Sequence, residues 1–391
     1  MDLRGLAVAL AVAATLSACA SDPAAGPGTG EGPGGTSGAD LTATAQLALS
    51  ATDGEPLIDP AELLDGASYD GIPAVDDPLI LSAQQADAAL VDDEQVMLVE
   101  QDGEARAYPV RSLIRHEIFN DELAGRPVLV TWCPLCNTGI AFDRRVDGQV
   151  ERFGVSGQLY RSALVMFDRR TQSLWPQPVG VAALGPLLGT ELEVLPSSLL
   201  PWREVRRAYP DLTVALGAAS ELEEARNPYQ GYDTSGTPFL FQGDTDQRLP
   251  AFTRVAGITV DEVSRAYSYD LLRRKRAIDA ELEGVPLVVL WSPGSASPLD
   301  TDDVRNGRDV GSAAIYDRRL GDRVLTFAPA GGEQFRDRET GSRWTIAGLA
   351  VDGPLEGQRL TRRVHQDAFW FAWAAFQPDT EVVAELSLPR G

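Results

Sequence analysis

Residues 106–136, RAYPVRSLIRHEIFNDELAGRPVLVTWCPLC, return at 265–295 as RAYSYDLLRRKRAIDAELEGVPLVVLWSPGS, without a gap and at a constant offset of 159 residues. Twelve of the 31 positions are identical, including Arg106, Tyr108, Glu122, Gly125, Pro127, Trp132 and Pro134 with their counterparts. After an acidic insertion the correspondence resumes. Phe142-Asp143-Arg144-Arg145 answers to Tyr316-Asp317-Arg318-Arg319, and Thr171-x-Ser173-x-Trp175 to Thr340-x-Ser342-x-Trp344. The self-similarity implies two copies of one unit, over about 88–216 and 252–385. A solenoid needs about three repeats, so a pseudo-symmetric pair of packed units is expected.

Each unit reads as α+β and β-rich. In the first, a hairpin is expected from 95–100 and 104–108 about Asp102-Gly103, a short helix over 110–119, and strands over 128–132 and 138–142, then 150–153 and 163–167. No glycine-rich phosphate loop follows a strand and opens a helix, so no nucleotide cofactor is expected. Nor is there a Gly-x-Ser-x-Gly elbow for a serine hydrolase.

The N-terminal residues 1–19 read as a lipoprotein signal peptide. An apolar run over 6–16, too short to span a membrane, closes on Leu16-Ser17-Ala18-Cys19. This pattern resembles a lipobox, with Cys19 acylated and the mature protein extracytoplasmic, its membrane attachment made by lipid alone. Residues 20–44 are a Gly/Pro-rich tether. Then come the first copy with its N-terminal extension over 45–216, a connecting segment over 217–251, and the second copy over 252–391. A net charge of -23 excludes nucleic acid as a partner, and excludes docking on anionic lipid by a basic patch.

Beyond Cys19 the chain has only Cys133 and Cys136, and its two histidines are His116 and His365. Thr131-Trp132-Cys133-Pro134-Leu135-Cys136-Asn137-Thr138-Gly139 reads as strand, turn, strand, the layout of a metal-binding knuckle. In the second copy the cysteines become Ser292 and Ser295 and His116 becomes Lys275, whereas Trp132 and Pro134 keep their counterparts. Joint loss implies that the three form one site in the first copy. His365 stands where the first copy has Ser197, and a pseudo-twofold pairing would bring it across to the cysteines.

Two thiolates and one or two imidazoles suit copper or zinc. The leading expectation is therefore a metalloprotein for electron transfer or metal handling, serving a redox or metal-transfer partner protein. Cys133, Cys136, His116 and His365 are its candidate ligands, Met166 a weak axial one, and Glu117 a general base should a zinc site stay open to water. Two alternatives stand beside it. A disulfide between Cys133 and Cys136 would staple a cell-envelope binding protein, and a reactive dithiol or a metal-assisted hydrolase would make the chain an enzyme. The motif Asp168-Arg169-Arg170-Thr171-x-Ser173-x-Trp175 recurs in the copy without cysteines, so it is expected to be a structural turn with a buried tryptophan.

At these residues the sequence resembles the family called domain of unknown function 3179, found in exported and membrane-associated proteins of bacteria and archaea. The resemblance rests on Asp70-Gly71-Ile72-Pro73-Ala74, Arg106-Ala107-Tyr108-Pro109, His116-Glu117-Ile118-Phe119-Asn120-Asp121, Cys133-Pro134-Leu135-Cys136, Ser156-Gly157, the Asp168 motif, Asn227-Pro228-Tyr229 and Trp370-Phe371-Ala372-Trp373. It implies membership and no particular activity. The chain departs from the family pattern in the acidic insertion at 298–308.

Overall fold

The hairpin about Asp102-Gly103 forms from strands Gln95–Gln101 and Glu104–Pro109, and both turn residues take positive φ, 47° and 85°. That is the turn whose twist matches two paired strands. Ser197–Pro201 adds to one edge of this pair; Thr213–Leu216 joins the other in parallel and Leu79–Ser82 completes five strands. The computed structural model describes residues 41–385. Cys19, the signal peptide and nearly all of the expected tether lie outside the described residues. The tether's last residues instead enter helix Ala43–Ser50, which Thr42 caps by accepting the Ala45 N–H.

The helix after the hairpin, Val110–His116, stops short of the expected 110–119. Glu117 takes a left-handed conformation (φ 57°), and its N–H turns back to Leu113 O at 2.7 Å. Residues 118 and 119 are consequently strand, the start of Ile118–Leu123. This strand pairs with Arg126–Cys133, which pairs with Thr138–Asp143 and through it with Val194–Leu195. Arg126–Cys133 is buried from Pro127 onward. Covered on both faces, it reads Val-Leu-Val-Thr-Trp, without polar alternation.

A further sheet runs Leu63–Asp65, Phe153–Tyr160, Ala163–Asp168, Leu174–Pro176. The strand expected over 150–153 is divided. Gln149–Val150 belongs to a two-stranded ribbon with Arg145–Val146, and Glu151 then turns away to pair with Arg170.

The later part of the chain is again mostly antiparallel sheet. Gln366–Phe369, Arg254–Val260, Val263–Ser268 and Glu381–Val383 form one four-stranded sheet, and Ala277–Leu282, Val285–Ser292, Ser312–Asp317 and Thr361–Arg362 another. A third contains Phe335–Asp337 and Arg343–Trp344. Early and late parts share a core: Leu98, Leu200 and Trp202 belong to one apolar cluster with Val288, Tyr316 and Trp344. Buried Arg362 ties them further, pairing with Glu100 at 3.0 Å and donating to the Ser198 hydroxyl at 2.5 Å. The fold is thus β-rich with short helices. Among the described residues no helix is long and apolar enough to cross a membrane.

The Asp168 motif is the expected structural turn. The buried carboxylate accepts from the Thr171 N–H at 2.6 Å, the Ser173 N–H at 3.1 Å and the Trp175 indole at 3.1 Å, and also from the Thr171 hydroxyl. Asp337 does the same for Thr340 and Trp344, at 2.6 and 2.9 Å. Removing either carboxylate leaves buried donors unpaired, so Asp168→Ala and Asp337→Ala should each cost about 3 kcal/mol in urea unfolding. A loss below about 0.5 kcal/mol for either would contradict this account.

Candidate functional site

Cys133 ends its strand, and Pro134, Leu135, Cys136 and Asn137 turn the chain back into Thr138–Asp143, with Cys133 opposite Thr138. Asn137 absorbs the turn at φ 52°. Both cysteines are free thiols and buried. The Cys136 N–H donates to Cys133 Sγ at 3.4 Å, the hydrogen bond expected of a knuckle. The Cys136 carbonyl is held by the Phe369 N–H at 2.9 Å. Burial, and then the neighbouring Cys133 thiol, push the Cys136 thiol well above its ordinary range, while the Leu164 amide N–H works the other way.

The third acid here is Glu117, which the left-handed step aims inward. It is 7% exposed. Burial raises its carboxyl from the ordinary 4.5 to about 7, partly offset by a hydrogen bond from the Tyr229 hydroxyl at 3.3 Å. Tyr229 and Tyr232 both lie close enough to the cysteines for a thiolate to disfavour their ionisation, an effect second to their own burial. Ser162, fully buried at φ 64°, follows Arg161 at φ 51°, so two successive non-glycine residues are strained in one tight turn beside Tyr232.

His116 points elsewhere. Its Nδ1 meets Pro73 O at 2.7 Å and its Nε2 meets Glu221 Oε1 at 2.7 Å. Both partners are acceptors, an arrangement that favours the protonated ring. Burial opposes that charge, but the bonds to Glu221 and Pro73 outweigh it and the His116 pKa rises. Glu221 falls below its usual range because hydrogen bonds from His116 and Ser112 overcome its burial. Both ring nitrogens are thus engaged away from the cysteines.

His365 does reach across to the earlier part of the chain, but its partner there is Ser198: Nε2 lies 3.3 Å from that hydroxyl, and Nδ1 2.8 Å from Arg363 O. Burial lowers its pKa to about 4, keeping it neutral. Met166 is a buried core residue in register with Val155 and Trp175. Among the described residues no three His, Cys, Asp or Glu side chains are gathered as a metal would require. The structure sets Glu117 near enough to Cys136 for its charge to raise that thiol further, and places His116 and His365 in other hydrogen-bonding networks.

The tyrosines were the residues that repeat analysis missed, because they lie in the connecting segment. The signal for Glu117 was available: 159 positions on, the cysteines are matched by Ser292 and Ser295, and Glu117 by Arg276. The acidic insertion at 298–308 holds the segment of the tyrosines in place. Asn227 N–H donates to Asp302 O at 2.8 Å and Gly231 N–H to Leu299 O at 2.8 Å. Arg308 and Arg254 both pair with buried Asp233, at 2.7 and 3.2 Å.

A carboxyl whose folded pKa is raised holds its proton to higher pH than in the unfolded chain. Its contribution is present below about 4.5 and is lost as pH climbs through about 7. Asp367, raised by burial to about 7, acts in the same sense, and neutral His365 in the opposite one between 4 and 6.5. Glu117→Gln should isolate the first effect. Its stability relative to wild type, from urea titrations, should improve by about 3 kcal/mol between pH 4.5 and 7. A difference that does not change with pH would refute this assignment.

No curated protein and no solved structure matches the chain. A family model described as protein of unknown function (DUF3179) matches residues 69–380. That span contains Glu117, the cysteine turn, both covering tyrosines and the insertion that holds them, and the chain accordingly belongs to the DUF3179 family.

Proposed function

We propose that the chain is an extracytoplasmic thiol oxidoreductase, tethered through lipid on Cys19, whose redox centre is Cys133 with Cys136 and whose proton acceptor is Glu117. The observation that carries this reading is the buried group itself: two free thiols share one turn, and the carboxyl of Glu117, at the end of the helix before their strand, is raised to about 7, the value a general base needs near neutrality. Closing the Cys133–Cys136 disulfide by exchange reduces a substrate disulfide to two thiols, which carry off the two electrons and in the end the two protons. Glu117 takes the first proton, and Tyr229 holds it toward the sulfurs. Cys133 is the attacking sulfur, since the Cys136 N–H stabilises its thiolate.

The second copy is a scaffold derived by duplication. Support comes from the helix end: Glu117 N–H to Leu113 O and Trp132 N–H to Glu117 O recur as Arg276 to Leu272 and Trp291 to Arg276. With Arg276, Ser292 and Ser295 in place of the three acids, that copy has no redox chemistry of its own.

A second reading is one soft ion, copper or zinc, held by the two sulfurs. The N–H to Sγ bond of the turn favours it, because such bonds support a metal-bound thiolate. Copper(I) is the better fit, since two thiolates suit a soft ion.

Both readings meet one experiment on protein purified without chelator: free thiols counted before and after diamide, with metal analysis alongside, for wild type and Cys133→Ser/Cys136→Ser. The redox reading expects two thiols that diamide removes and dithiothreitol restores, with Glu117→Gln slowing the oxidation by about 10²-fold near pH 7. Near-stoichiometric copper or zinc, absent from the double variant, would replace it with the metal reading. Thiols that resist diamide in metal-free protein would sink both.

A further inference from the structure

A cleft of about 530 Å³ opens between the loop at 240–246, the Arg161 turn and helix Trp370–Phe376. This volume falls within the range of about 300–1,000 Å³ in which proteins take up small molecules. Neither cysteine lines the cleft, so whatever it binds is independent of the thiol chemistry.

The loop is fixed along its length. Phe239 N–H donates to the Tyr232 hydroxyl at 3.2 Å, Phe241 packs on Phe371 edge to face at 5.6 Å, and the Asp246 carbonyl accepts from the Trp370 indole at 3.1 Å. Arg248 then closes it. Its guanidinium lies over the Trp370 ring at 5.0 Å, pairs with the Asp246 carboxylate at 2.9 Å and donates to Thr380 O and Pro378 O at 2.7 and 2.8 Å. The opposite wall holds Arg161 at φ 51° beside Ser162 at φ 64°, and Leu240 opens the loop at φ 49°. Non-glycine residues keep such conformations only where surrounding contacts hold them. The cleft is therefore a formed cavity and not a gap between loose segments.

Its lining selects a ligand. One side is apolar, built on the Phe241–Phe371 pair. The rest carries Glu62, Asp244 and Asp246 against a single cation, Arg161. That guanidinium is already committed, to Glu62 at 3.6 Å, to Ala375 O at 3.1 Å and to the Tyr160 ring at 5.3 Å. Asp246 is taken up by Arg248, which leaves Asp244 without an ion pair among the described residues. An anion would meet these carboxylates and the field of a chain with net charge -23. Nor are the acids gathered as a metal ion requires, among the described residues. An organic cation needs no coordination shell; one carboxylate beside aromatic faces suffices.

We infer that this cleft binds a small organic cation, an ammonium group carried on an apolar body, with the ammonium at Asp244 and the body against Phe241 and Phe371. The test is isothermal titration of the full chain, at low ionic strength, with 2-phenylethylammonium, neutral 2-phenylethanol and the anion 3-phenylpropionate. The ammonium should bind with a Kd of about 1 mM or tighter, and about tenfold or more tighter than the anion. Asp244→Asn should weaken the ammonium by about threefold to fivefold and leave the alcohol unchanged, whereas Phe241→Ala should weaken both. Glu104→Gln, the same loss of charge outside the cleft, should alter neither. No binding of the ammonium up to about 10 mM, an anion bound as tightly, or an Asp244→Asn chain that keeps the wild-type preference would overturn the assignment.

Discussion

A single backbone step, the left-handed conformation of Glu117, decides which chemistry the site can hold. The step ends the helix by returning the Glu117 N–H to Leu113 O, and its carbonyl then receives the Trp132 N–H from the cysteine strand at 2.9 Å. One non-glycine residue at φ 57° costs on the order of 1 kcal/mol. The two bonds it permits lock the helix end to the strand that carries Cys133. They also send neighbouring side chains in different directions. His116 goes toward Glu221 and Pro73, and Glu117 goes inward as a carboxyl raised to about 7.

The cover over the thiols comes from elsewhere in the sequence. Tyr229 and Tyr232 belong to a segment with little regular structure, which has scant reason to keep one conformation by itself. It is fixed at one end by the His116–Glu221 pair and by buried Arg111, which donates to the carbonyls of Glu221 and Leu222. Farther along, the insertion supplies carbonyls for Asn227 and Gly231 and the Arg308 that pairs with Asp233. Asp233 accepts two guanidinium groups and the Ser297 hydroxyl, so its charge is compensated although its side chain is fully buried. The insertion at 298–308 is therefore what holds the segment that carries the two phenols.

Much of this was legible in the residues. The hairpin, the cysteine turn and the Asp168 turn all follow from local patterns of apolar, glycine and turn-forming residues. The pairing of acids was not, for a geometric reason. Adjacent residues on a helix differ by about 100° in direction, but a left-handed step at the helix end changes that relation, and nothing in His116-Glu117 announces it. His365 was misplaced for a related reason. The two parts of the chain do meet across strand Gln366–Phe369, yet it is the Phe369 backbone that touches the cysteine turn. The imidazole lies on the Ser198 side, near Arg362, where only a neutral ring is tolerated.

Two thiols and a carboxyl buried near one another impose a rule on whatever the site does. Ionising one makes the next harder to ionise, and burial already raises the Cys136 thiol and the Glu117 carboxyl. Reaction must either remove protons as charge develops or bring in positive charge to replace them. A disulfide meets the first condition, because it leaves the sulfurs neutral; a bound soft cation meets the second. In both cases the burial that raises the barrier to ionisation also limits access to the sulfurs, since Cys133 and Cys136 are both buried. The clamp at Asp233, the pair at Glu221 and the step at Glu117 are for that reason parts of one device, in which holding the cover closed and keeping the dithiol protonated are the same physical act.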